Sequence, residues 1–407
     1  VFHSTAANVS HRESRFALRF IATLLTFTLS ILGLACRSDS EAQRVRPRQL
    51  RDVPAQRLAF TFTADAEAPP NVSAEEPKPI QAIQNDFDVR RKDEGLVLHR
   101  TVPSPDGQRA LALYSEQDEP STTFHIDLYA SSGSFIRNMT PPDLAVVFQD
   151  SVLWSADSGS IAFVARKAAQ PQASPTPPGL EAPEPIESPV ATPTVMPAFP
   201  PVQTFSTEQI YVCDKDGYGL RPLTTRDGLI YFALSWAPDG HALSALACKE
   251  SEWDAREHEN KTPAGRPRIV TLDGAERLLD DELAQAPPVW SPDSAKIATA
   301  FDVDIGIYDA AGKAPTQARI VLRERILTAS AAFQEKGTSK KIADQSKPNP
   351  ASSSDIPVSF NPIIRIEWPV PERLYVQTGY LDLRNALPTW SRWHLLTLSP
   401  QAAVLSR

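Results

Sequence analysis

The chain has 407 residues, with 41 Lys and Arg against 49 Asp and Glu, a net charge of −8. That acidic balance argues against nucleic acid as a partner, because phosphate binding needs a basic surface. Three cysteines are too few for a disulfide framework, and 38 prolines against 16 glycines point to loops and linkers, not to a helical bundle.

The first element in chain order reads as a targeting segment over 1–35. Arg12, Arg15 and Arg19 form a basic start. Phe20 to Ala35 is then a run of sixteen uncharged residues. A membrane span needs about 20 apolar residues, so this run suits a signal-peptide core. It ends in Leu32-Gly33-Leu34-Ala35-Cys36, which resembles the bacterial lipobox, with Gly33 where leucine is preferred. The resemblance implies lipidation of Cys36. An ordinary secretory signal or a retained anchor are the other readings of the same residues.

Residues 36–84 are expected to form a tether. Arg37, Arg44, Arg46, Arg48 and Arg51 lie close to the anchor, where a solvated linker is preferred over attraction to anionic headgroups. Leu58 to Thr63 has the pattern of a strand.

From about residue 95 the chain repeats itself. A turn signature recurs at Ser104-Pro105-Asp106-Gly107, Trp154-Ser155-Ala156-Asp157-Ser158, Trp236-Ala237-Pro238-Asp239-Gly240 and Trp290-Ser291-Pro292-Asp293-Ser294. Trp368 to Glu372 is a degenerate fifth copy. A short apolar strand pattern follows each turn, as in Ala110 to Leu113 and Ile297 to Ala300. A second element, Ile126 to Thr140, aligns without gaps to Ile210 to Thr224, each reading as strand, glycine turn, strand. Two hairpins per repeat predict four-stranded antiparallel units. Such a unit has two apolar faces, and radial stacking covers both.

The motif residues are explained by folding. Trp154, Trp236 and Trp290 offer flat apolar area between units. Asp106, Asp157, Asp239 and Asp293 bond nearby backbone, and Gly107 and Gly240 take turn conformations that other residues avoid. The motif aspartates are spaced by 51, 82 and 54 residues. The long interval holds eleven prolines between Ala168 and Gln203, so disordered insertions are expected at 168–206 and, rich in lysine and serine, at 333–359.

These turns, with Asp216-Gly217 and Arg221-Pro222-Leu223-Thr224 ahead of Trp236, resemble the TolB-like (PD40) propeller repeat. The resemblance implies an all-β propeller over 85–407, six blades in the family against five copies found here. Five to six blades are expected: a sixth would be built from Leu58 to Thr63, Val97-Leu98 and the strands near Trp393 to Leu398, or the propeller is an incomplete or diverged one.

No catalytic constellation stands out. There is no G-x-S-x-G elbow and no phosphate or dinucleotide loop. His99, His125, His241, His258 and His394 are scattered, so neither zinc nor any other cofactor is expected. His258 is read in a charged loop. Asp214 to Gly217 echoes a calcium loop but is better read as a turn. Asp302 and Asp304 are read as same-face residues at a strand start. Cys213 and Cys248 are read as buried thiols.

The resulting expectation is a monomeric, exported scaffold, anchored at the periplasmic or extracellular face of the membrane and not an enzyme. Its partner would be a protein, peptide or envelope polymer. A polysaccharide lyase or hydrolase, or docking through the proline-rich loop, are the alternatives.

Overall fold

A computed structural model describes residues 49–70, 79–91, 93–117, 123–167, 207–332, 362–381 and 388–400. Cys36 and the stretches 168–206 and 333–359 lie outside the described residues. No described helix is long and apolar enough to cross a membrane.

From Leu50 onward the chain forms one compact unit. It opens with short turns at Leu50–Asp52 and Ala55–Arg57, then strand β1 (Ala59–Ala66) and helix α1 (Gln81–Arg90). Five antiparallel sheets follow. Blade one is β2 (Leu96–Pro103), β3 (Arg109–Glu116), β4 (His125–Ala130) and β5 (Phe135–Asn138). Blade two holds β6 (Leu144–Val146) and β7 (Leu153–Trp154), both paired to β8 (Ser160–Lys167), then β9 (Gln209–Asp214) and β10 (Arg221–Pro222). Blade three is β11 (Leu229–Trp236), β12 (Ala242–Lys249), β13 (Arg266–Thr271) and β14 (Glu276–Leu278), with helix α2 (Glu250–His258) after β12. Blade four is β15 (Val289–Trp290), β16 (Lys296–Phe301), β17 (Asp304–Asp309) and β18 (Gln317–Val321). Blade five joins β19 (Ile363–Val370), β20 (Arg373–Leu381) and β21 (Pro388–Ser399) to β1. The fold is an all-β propeller.

The second strand of each of the first four blades shows why the sheets stack. Successive side chains point to opposite faces, and both faces are buried. In β8, Ile161 and Phe163 enter the core shared with blade one, while Ala162 and Val164 enter the core shared with blade three. In β12, Leu243 and Ala245 face blade two, whereas Leu246 and Cys248 face blade four. In β16, Ile297 faces blade three and Ala298 and Ala300 face blade five.

Indole hydrogen bonds tie neighbouring first strands. Trp154 Nε1 donates to the Val102 carbonyl at 3.0 Å, Trp236 to Leu153 at 3.4 Å and Trp290 to Ser235 at 3.2 Å. Each acceptor lies two residues before the serine or alanine of its own motif. The series ends at the degenerate copy, where Trp368 donates to Pro371 in its own turn at 3.0 Å. The aligned hairpins of blades one and two also match in detail: Thr140 Oγ1 accepts from Ile126 N and Thr224 Oγ1 from Ile210 N, both at 3.0 Å.

Four expectations need correction. The tether does not extend to 84, because residues from Leu50 belong to the folded unit. β1 pairs with β21, Ala59 opposite Ser399 through Thr63 opposite Leu395, so it completes the fifth blade and no sixth sheet forms among the described residues. Val97 and Leu98 sit in β2 of blade one. The face of blade one that a sixth sheet would cover is capped by α1, whose Ile83 and Phe87 are buried against Ala110, Ala112 and Tyr114. His258 ends a helix, not a loop. Glu252 accepts the Lys249 N–H at 2.9 Å at its start, and Trp253 packs its ring against Phe148 and Phe232.

The closing strand pair holds a buried histidine. His394 Nδ1 accepts from Asp65 N at 3.4 Å and Nε2 meets Thr378 Oγ1 at 3.0 Å. Accepting at Nδ1 requires a neutral ring. Burial, helped by nearby Arg392, lowers its pKa to about 4.

Two outcomes follow for stability. Trp290→Phe keeps a ring but leaves Ser235 without its indole donor, so unfolding in urea should show a loss of about 1–2 kcal/mol; an unchanged midpoint would remove the indole bond from the account. For His394 the folded pKa lies below the unfolded value of about 6.5, so stability is full above pH 6.5 and falls as the pH drops toward 4, by up to ~3 kcal/mol. Urea titrations across that window should give a shallower pH slope for His394→Gln than for the wild type.

Candidate functional site

The sequence-predicted motif residues occupy the turns between first and second strands. Ser104, Ser155 and Ser291 donate to Asp106, Asp157 and Asp293 at 2.6 Å. The aspartate oxygen also accepts the backbone N–H two residues on, from Gln108, Gly159 and Ala295, and Asp239 accepts from His241 in the same way. These bonds, the serine first, hold the carboxyls of Asp106 and Asp157 below the usual range.

A second pattern runs between blades. The glycine position of the motif alternates between Gly107, Ser158, Gly240 and Ser294, all at positive φ. Ser158 Oγ accepts from Asp106 N and Ser294 Oγ from Asp239 N, each at 3.0 Å. The hydroxyl offsets the left-handed strain that a glycine avoids. Trp154, Trp236, Trp290 and the motif aspartates therefore all make bonds within or between blades.

Other residues singled out by sequence are dispersed. Cys213 lies in the core between blades one and two, and Cys248 in the core between blades three and four. Burial pushes both thiols up to about 12. Asp214 is taken up by its own turn, where Oδ1 accepts from Asp216 N and Tyr218 N at 2.9 and 2.8 Å. Asp302 and Asp304 do not share a strand face. Asp302 occupies the tight turn between β16 and β17 at φ 58°, and Asp304 begins β17 opposite Phe301. Among the described residues no three His, Cys, Asp or Glu side chains gather as metal ligands.

Two buried ionic groups hold unique segments in place. Asp127, fully buried in β4, accepts from Arg90 at 2.8 Å, Arg91 at 3.0 Å and Asn138 at 3.0 Å. Arg90 also lies 3.5 Å over the Phe135 ring, so α1 is clamped to blade one by charge as well as by packing. Lys296, buried in β16, donates to Asp309 at 2.7 Å and to the Val53 carbonyl at 2.6 Å. Asp309 further accepts from Ala55 N at 3.0 Å. Burial acts to raise that carboxyl, but Lys296 and Thr316 hold it below its ordinary value.

A cleft of about 540 Å³ opens between blades three and four, where the segment after β14 passes β17 and β18. Asp280, Glu282, Tyr308, Gln317, Ala318 and Arg319 line it. Tyr308 is 3% exposed, and its hydroxyl donates to Asp280 at 2.7 Å. Burial and that carboxylate raise the phenol pKa, so it stays a donor. Residues 306 and 308 share a face of β17, and a Cβ at Gly306 would stand 2.5 Å from the Tyr308 hydroxyl. Glycine is thus what lets the ring lie along the strand. Arg319 is held on three sides: its guanidinium sits 4.2 Å over the Phe301 ring, bonds Glu282 at 2.8 Å and reaches Asp304 at 3.4 Å. Asp302 and Arg323 lie 3.8 Å apart beside it, and burial pushes the Asp302 carboxyl up against the pull of Arg323. Of these charges, Asp280, Glu282 and Arg319 line the cleft itself.

None of the four side chains that build this cleft, Asp280, Glu282, Tyr308 and Arg319, stood out in the sequence. The one local signal was Gly306 two residues before Tyr308 in a strand.

No protein-family model and no curated protein matches the sequence. Solved structures match at the level of the fold. They include an oligogalacturonate lyase from Vibrio parahaemolyticus (9% identity, 75% of this chain and 67% of that one, TM-score 0.40). A putative TolB from Agrobacterium tumefaciens matches at 12% identity, over 70% of this chain and 72% of that one, with a TM-score of 0.32. Prolyl oligopeptidase B from Galerina marginata matches at 10%, over 80% of this chain but only 42% of its own, with a TM-score of 0.42. Enzymes stand among these neighbours, so the expectation that the chain is not an enzyme is corrected: a propeller of this kind does not speak against catalysis.

The cleft geometry gives a direct test. Gly306→Ala should push the Tyr308 hydroxyl off Asp280 and cost about 1–3 kcal/mol in urea unfolding. A variant as stable as the wild type would mean that the ring has room to move and that the cleft floor is not fixed.

Proposed function

We propose that the chain is a membrane-tethered, extracytoplasmic propeller scaffold that binds a protein, peptide or envelope polymer. The observation that carries this reading is Cys36 at the end of a sixteen-residue uncharged run, a short distance before the folded unit starts at Leu50. A lipid on Cys36 would hold the propeller near a membrane surface, with residues 37–49 as the tether. The same run read as a secretory signal would release it. The acidic balance favours neutral or basic partners over nucleic acid.

Expression of the full chain in a bacterium with an alkyne-bearing fatty acid separates the readings. Wild type should take up label and sediment with membranes, and Cys36→Ala should do neither. A soluble, unlabelled wild type would overturn the tether. An envelope pull-down with the detergent-solubilised chain then tests the scaffold.

A further inference from the structure

We infer that the cleft between blades three and four is a docking pocket for a lysine or arginine side chain of a partner polypeptide. The inference rests on the scaffold reading and names the chemistry of its partner.

Size comes first. The cleft volume, about 540 Å³, lies in the range of small-molecule and side-chain sites. Its walls are preformed. Tyr308 is almost fully buried and fixed on Asp280, and Arg319 is pinned between Phe301, Glu282 and Asp304. Little ordering cost remains for an incoming group.

Charge gives the sign. Of the residues that line the cleft, Asp280 and Glu282 carry negative charge against the single guanidinium of Arg319, so the lining carries a net charge of −1. Asp280 already accepts from Tyr308 and from the Glu282 backbone N–H at 3.0 Å, so its lone pairs lie at fixed directions, suited to the planar or three-pronged donors of arginine or lysine.

The surroundings favour a polypeptide over a glycan. Leu278, two residues before Asp280, is 39% exposed, and Val321, two residues after Arg319, is 61% exposed. Both lie on the terminal strands of their sheets, β14 and β18. Apolar side chains flank the polar cleft, and the strand edges offer main-chain hydrogen bonds that an extended peptide pairs with. A glycan would instead be met by an exposed aromatic platform, and the one aromatic ring of the lining is buried.

The test uses the detergent-solubilised full chain and three end-blocked glycine peptides with a central Lys, Arg or Glu, followed by calorimetry. The Lys or Arg peptide should bind saturably, more weakly as salt rises to about 0.5 M, and the Glu peptide should not. Glu282→Gln, a change at an exposed side chain, together with Asp280→Asn should lower that affinity at least tenfold. Asp254→Asn on α2, away from the cleft, serves as the charge control and should bind as wild type. Equal binding of the Glu peptide, or unchanged affinity in the Asp280/Glu282 variant, would overturn the inference. So would binding of an amine-bearing glycan oligomer without either peptide. An envelope partner retained by the Asp280/Glu282 variant sinks the pocket and leaves the scaffold standing; peptide binding with no envelope partner does the reverse.

Discussion

A four-stranded sheet with two apolar faces is stable in water only when both are covered. Everything else in this fold answers that constraint. The middle strands of blades two to four divide their residues by parity between two cores, and the indole bonds of Trp154, Trp236 and Trp290 fix how far one sheet stands from the next. Aliphatic side chains do most of the covering, and the tryptophans add flat area between the sheets. The hydrogen bond adds direction, since burying an indole N–H without an acceptor would cost about 1–3 kcal/mol.

A stack of like units must also end. At one end, the outer face of blade one is apolar, and α1 covers it with Ile83 and Phe87. At the other, blade five turns exposed threonines outward, Thr61 and Thr63 of β1 and Thr397 of β21. No apolar cluster among the described residues joins blade five to blade one. Among the described residues five sheets form where the TolB-like repeat suggests six, and the outer face of blade one is taken by a helix. β1 also ties the first described strand to the last through its pairing with β21.

The repeat was legible because its residues are local. The residues of each turn signature lie within five positions of one another, although the indoles act across blades, and the matching hairpins of blades one and two end in threonines that do the same work. Leu58 to Thr63 was legible as a strand, and so was its partnership with the C-terminal strands. The caps were not. Ile83 and Phe87 share their stretch with polar residues and with an exposed Val89, and nothing local says that they lie on a sheet. Helix α2 was hidden by charge, since Trp253 is the one large apolar residue among Glu250 to His258. The cleft was hidden by distance. Asp280 and Tyr308 belong to different blades, and their contact exists only once the stack has formed.

The buried charges follow the same division. Blade-to-blade cores are apolar and tolerate any slice of similar shape. Unique segments need an address, and each is given one by charge: α1 by Arg90 and Arg91 on Asp127, the Val53 to Ala55 turn by Lys296 and Asp309, and β1 by the pairing of Asp65 with Arg392. Moving any of these segments would strand a charge in a place without water, at a cost of several kcal/mol. The carboxylates of the cleft extend this scheme to the rim of the stack. Asp280 and Glu282 lie between two repeating blades whose contact is already made by Trp290 and the apolar core. Asp280 on Tyr308 and Glu282 on Arg319 join the segment after β14 to blade four, and they do so at a cleft that opens to what lies outside the molecule.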